Sequence, residues 1–126
     1  MKAYELMIGD WVQFHGKNFR VTVIDGSHIY LKSTDGECTD QMACRLDPVP
    51  ITREILENNR FIRRSSEGYP EHYRYELPSE NMVFKVFALY DSDFSFNINE
   101  CAMMIKYIHE LQHAVMLWKI EKEIVL

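Results

Sequence analysis

Pro48 and Pro50, separated only by Val49, constrain this chain more than any other feature. Each proline holds its own φ at about −65° and lacks a backbone donor, and each pushes the residue before it into an extended conformation. Neither a central strand nor a helix can run through that stretch. The chain therefore divides there, into residues 1–47 and residues 51–126. Its 126 residues amount to one ordinary domain or two very small lobes. A hydrophobic content of 47% is enough for a packed core and argues against disorder.

The first part reads as short strands separated by tight turns. Residues 10–14, 19–24 and 28–32 alternate or are rich in β-branched side chains, and 41–46 offers a last strand. His15-Gly16-Lys17-Asn18, Asp25-Gly26 and Asp35-Gly36 are the turns. Short strands at this spacing predict a small SH3-like β-barrel lobe over 1–47.

The second part, 51–126, reads as an α+β lobe. Thr52 is placed to cap a short helix over 53–59. Residues 63–70 are polar and turn-like. Residues 73–77, 82–89 and 94–98 predict an antiparallel meander, with a turn at Asp91-Ser92-Asp93. Asn97 with Glu100, or Asn99 alone, would cap a long helix from about Glu100 to Lys119. Met104, Ile108, Leu111, Val115 and Trp118 recur at helical steps, and this stripe should lie across residues 82–89. Residues 121–126 would end the chain as an edge strand. The predicted fold class is α+β: a barrel lobe, then a meander packed by a long C-terminal helix.

Three segments carry a resemblance. Ile8-Gly9-Asp10-Trp11-Val12, the run Asp47-Pro48-Val49-Pro50-Ile51-Thr52-Arg53-Glu54-Ile55-Leu56, and Ile105-Lys106-Tyr107-Ile108-His109-Glu110-Leu111-Gln112 occur in that order. Together they resemble a family of small proteins encoded by Bacteroides-type bacteria and their phages and mobile elements. The resemblance implies a bacterial or phage origin and a shared fold, and it implies no activity, cofactor or catalytic residue. His113 departs from the family pattern, which tends to continue with asparagine.

Charge and cysteine usage narrow the functional classes. A net charge of −5 opposes general affinity for nucleic acid, whose phosphates call for a basic surface. No segment approaches the roughly 20 apolar residues that span a bilayer. The opening MKAYELMIGDWV lacks the apolar run of an export signal. Cys38, Cys44 and Cys101 are odd in number and show no paired spacing, as expected of reduced thiols in a cytoplasmic protein.

Four candidate constellations remain. His109-Glu110-Leu111-Gln112-His113 spells H-E-x-x-H, which on a helix can share a zinc ion between its histidines and use its glutamate as a base. The metzincin extension would need a glycine and a third histidine where this chain has Met116 and Lys119. The helical wheel also turns His109 and His113 away from the apolar stripe. They are expected to be a solvated pair that holds at most an adventitious ion. Arg60, Arg63 and Arg64, with Tyr73, form a basic and aromatic cluster that suits a small ligand or nucleotide.

Trp11, with Phe14 and Phe19, is either barrel core or an exposed peptide-binding groove. Met116 and Ile120 put apolar surface on the far face of the last helix, where a protein partner or a second copy would cover it. The expected function is non-enzymatic binding or interaction without a cofactor. The alternatives are a nucleotide binder through the arginines and a zinc hydrolase through H-E-x-x-H.

Overall fold

A computed structural model describes residues 1–66, 69–78, 83–89, 93–98 and 101–126. The side chains at 65, 66, 69–73, 78, 83, 87–89, 93–98 and 101–103 lie outside that description. Among the described residues the fold is α+β, with two antiparallel five-stranded sheets and two α-helices. The chain divides into two compact units. One comprises Met1–Pro50, Tyr107–Gln112 and Leu126, and the other Ile51–Lys106 with His113–Val125.

The first sheet contains β1 (Trp11–Phe14), β2 (Lys17–Asp25), β3 (His28–Lys32), β4 (Cys38–Met42) and β5 (Asp47–Pro48), in the order β4-β3-β2-β1-β5. The β1–β2 hairpin closes with Phe14 opposite Lys17. His15 at φ 50° and Gly16 at φ 76° form its two-residue turn. Positive φ at both central residues matches the right-handed twist of the strands, and glycine tolerates it at no steric cost. β5 lies at the sheet edge against β1, where a proline forfeits no ladder bond. Leu6, Val12, Phe19, Val21, Ile29 and Leu31 lead the buried core.

The loop from β3 to β4 is held by charge. The Ser33 hydroxyl donates to Asp35, and the Lys17 ammonium lies 2.9 Å from the same carboxylate and also meets Glu37. The hydroxyl first, then the ammonium and the Glu37 N–H, hold the Asp35 carboxyl well below the usual carboxylate range. The two carboxylates raise the Lys17 ammonium.

The second unit opens with α1 (Arg53–Asn58). The Thr52 hydroxyl accepts from Ile55 N–H at 3.2 Å, the predicted cap. α1 ends with Arg60 at φ 66°, Arg60 N–H on Glu57 C=O and Phe61 N–H on Leu56 C=O. That is a Schellman stop with arginine in the place glycine usually takes.

The second sheet follows, in the order β10-β9-β8-β7-β6. Its strands are β6 (Ile62–Ser66), β7 (Tyr69–Pro78), β8 (Val83–Leu89), β9 (Asp93–Ile98) and β10 (Cys101–Ile105). Tyr75, Leu77, Phe84, Val86 and Ile105 are buried, and the Phe61 ring meets Phe84 edge-on at 6.5 Å.

Three expectations for this region are corrected. Residues 62–66 pair as β6 rather than forming a turn. Residues 101–105 are strand β10 rather than the start of a helix, and α2 is only Ile108–Leu117. Of the expected capping residues, Asn97 lies in β9, and Asn99 and Glu100 fall outside the described residues, as do Met82, Asp91 and Ser92. Helix α2 starts where it does because the Glu110 carboxylate accepts from Tyr107 N–H at 3.1 Å, the return half of a capping box.

Residues 121–126 form no strand. Their anchor is the buried Asn59, whose amide donates to Val125 C=O and accepts from Val125 N–H, both at 2.8 Å. One side-chain amide does there what a strand partner would do.

Candidate functional site

Parts of the segments 8–12, 47–56 and 105–112 meet in the first unit, and the contacts among them are structural. Asp10 is buried, and its Oδ2 accepts from Met7 N–H at 2.8 Å. Gly9 N–H bonds Val21 C=O at 2.8 Å, and Val21 N–H bonds Asp10 C=O at 2.9 Å. Val12 pairs with Pro48. Ile108 N–H donates to Val49 C=O at 2.8 Å, and Pro50 bridges to Tyr107.

Gln112 completes the junction: its Oε1 accepts from Trp11 N–H and its Nε2 donates to Gly9 C=O, both at 2.9 Å. Gln112→Ala leaves both backbone groups without that partner and is expected to cost roughly 1–3 kcal/mol in denaturant unfolding. A loss under about 0.5 kcal/mol, the scale of an ordinary surface change, would show the amide to be dispensable.

The H-E-x-x-H residues all lie on α2, in different surroundings. His109 is buried, not solvated as expected, and its ring stacks on Tyr107 at 6.0 Å with planes 10° apart. The physical reason is the helix start. The first turn of α2 is covered around most of its circumference, at Ile108, His109 and Leu111, whereas beyond it only Ala114 and Val115 are fully covered. His113 is half-buried and belongs to the second unit. Glu110 caps the start of the helix through its carboxylate. Among the described residues no group of three histidine, cysteine, aspartate or glutamate side chains is arranged to hold a metal.

The arginines are dispersed. Arg60 is the left-handed stop residue of α1. Arg63 and Arg64 follow one another on β6, so alternation sends them to opposite faces, with Arg63 across from Tyr75 and Arg64 across from Arg74. Tyr73 sits across from Ser65, and its side chain lies outside the description.

Trp11 offers no surface. It is 2% exposed, with the Arg20 guanidinium 4.9 Å from its ring centre. Met116 is exposed, as is Leu117 beside it. Ile120 is half-buried, and its N–H closes the end of α2 on Val115 C=O at 3.1 Å, with Lys119 left-handed at φ 57°. Its place is set by the helix stop.

The apolar surface that sequence reading missed lies on the outside of the first sheet. Strict alternation in β2 would send Val21 and Val23 to the same buried side. A bulge between them leaves Thr22 and Val23 both outward, with the Thr22 hydroxyl on Tyr30 C=O at 3.1 Å. Val23 is 49% exposed and Tyr30, its cross-strand partner, 40%. With Lys32, Cys38 and Asp40 they line a groove of about 530 Å³. Asp40 stands across from Tyr30, and Cys38 across from Lys32. The detectable signal was in 28–32: with Ile29 and Leu31 inward, Tyr30 must face out.

No helix among the described residues is long and apolar enough to cross a membrane. Compared with known proteins, the chain matches no family model, no curated protein and no solved structure.

Proposed function

We propose that this chain is a non-enzymatic binding protein, an accessory product of a bacterial or phage genome, that receives an extended segment of a protein partner on the outer face of β2–β4. The observation that carries this reading is the exposure of Val23 and Tyr30 side by side in a groove that reaches β4, the last strand of the sheet. An exposed tyrosine supplies a large contact area at low entropic cost. Asp40, across from Tyr30 on β4, and Lys32, two residues along β3, carry opposite charges in the groove and would orient the bound segment. A strand at a sheet edge can add main-chain hydrogen bonds to the peptide.

The first sheet is read as SH3-like. A four-strand meander, a bulged β2, the 3-10 turn Ala43–Arg45 and the return of β5 onto β1 support that reading. The exposed thiols of Cys38 and Cys44 favour a reducing compartment such as the cytoplasm.

A displayed peptide library tests the proposal. Enriched peptides should bind the wild type, and Tyr30→Ala or Val23→Asp should weaken them at least tenfold without lowering the melting temperature by more than a few degrees. Absence of enrichment, or peptides indifferent to both substitutions, would defeat the reading.

A further inference from the structure

The second sheet gathers positive charge on one face. Alternation places Arg64 of β6, Arg74 and Glu76 of β7 and Lys85 of β8 on the side opposite the buried Tyr75 and Val86. Arg64 stands directly across from Arg74, and Glu76 directly across from Lys85. Like charges in directly opposed positions weaken a sheet.

Glu76 relieves that repulsion only in part. Its Oε2 is 3.7 Å from Arg64 Nε, and its Oε1 is 2.9 Å from Arg74 Nε without the alignment of a hydrogen bond. Among the described side chains of this face, Arg64, Arg74 and Lys85 stand with one carboxylate, Glu76, which pairs with the two arginines. The Arg64 side chain is 56% exposed and that of Arg74 38%, so both are partly open to solvent.

A local rule broken at a cost marks a place where something else completes the arrangement. Neighbouring strands lie about 4.8 Å apart, so cations on three successive strands suit a row of anionic groups better than a single one. Guanidinium forks match phosphate oxygens in pairs. The chain's net charge of −5 opposes a general, unlocalised affinity for phosphate.

We propose that the outer face of β6–β8 binds adjacent phosphate groups, with Arg64, Arg74 and Lys85 holding the oxygens and Glu76 as the resident counter-ion that they displace. The shared chemistry is a run of phosphates, either the polyphosphate of a nucleotide or the backbone of single-stranded nucleic acid. This site is independent of the groove on the first sheet.

Calorimetry at low salt with inorganic tripolyphosphate, ATP and a short oligothymidylate tests it. The wild type should bind at least one of the three, with an affinity that falls as salt is added. Arg64→Gln and Arg74→Gln should each weaken binding by about tenfold. Glu76→Gln should strengthen it while lowering the melting temperature of the unliganded protein. Arg63→Gln removes the same charge from the same strand on the other face and should leave affinity unchanged. Binding of tripolyphosphate and ATP alike assigns the site to free polyphosphate, and binding of the oligonucleotide alone assigns it to a nucleic-acid backbone. No binding by any probe, or equal losses in Arg63→Gln and Arg64→Gln, would overturn the proposal.

Discussion

Trp11→Ala is expected to destabilise the first unit by about 3–5 kcal/mol, the scale of a buried aromatic truncated to alanine. Three contributions are lost together. The ring is 2% exposed, so its whole apolar surface would return to water or leave a cavity. Arg20, directly across the β1–β2 pairing, loses the face on which its guanidinium rests 4.9 Å away. The backbone N–H that Gln112 grips would sit on a strand without its anchoring side chain. Thermal unfolding should fall by roughly 10 °C or more. Trp11→Phe, which retains an aromatic ring, should recover most of the loss. A peptide-binding aromatic behaves otherwise: its removal abolishes binding and leaves the melting temperature alone. An unchanged melting temperature in Trp11→Ala would return Trp11 to the surface.

The features legible in the sequence are those set by local chemistry. The β1–β2 turn follows from His15-Gly16, the start of α1 from Thr52, and the edge position of β5 from Pro48. Each depends on residues within a few positions of one another.

The errors arose where distant partners decide. Met104 fits the helical stripe as well as it fits a strand, and only pairing with β9 selects β10. The bulge at Thr22 inverts the outlook of Val23, so the groove cannot be read from alternation alone. The end of the chain has apolar residues spaced like a strand, yet the amide of Asn59, 66 positions away, takes the place of a strand partner. His109, Trp11 and Arg60 were singled out for their side-chain chemistry, whereas burial claims the first two and a helix stop the third. Arg64 joins other charged groups, Arg74 and Glu76 on the neighbouring strand.

Leu111→Ala is expected to cost about 2–5 kcal/mol, and Leu117→Ala on the same helix less than about 0.5 kcal/mol. The pair isolates burial, because the chemical change and the difference in helix propensity are the same at both positions. Leu111 is fully buried in the first unit with Ile108, while Leu117 is exposed near the end of α2. The expected stripe is divided: Ile108 and Leu111 group with residues 1–50, and Val115 and Trp118 with the unit that holds β8. Denaturant midpoints at a low and a high protein concentration complete the test. If the chain acts as a monomer, neither midpoint moves with concentration and Leu117→Ala stays near the wild type. A second copy seated on Met116 and Leu117 would raise the wild-type midpoint with concentration. Leu117→Ala would then lose that rise while Leu111→Ala kept it. A small effect in Leu111→Ala at both concentrations would show that the first turn of α2 is not the buried element described above.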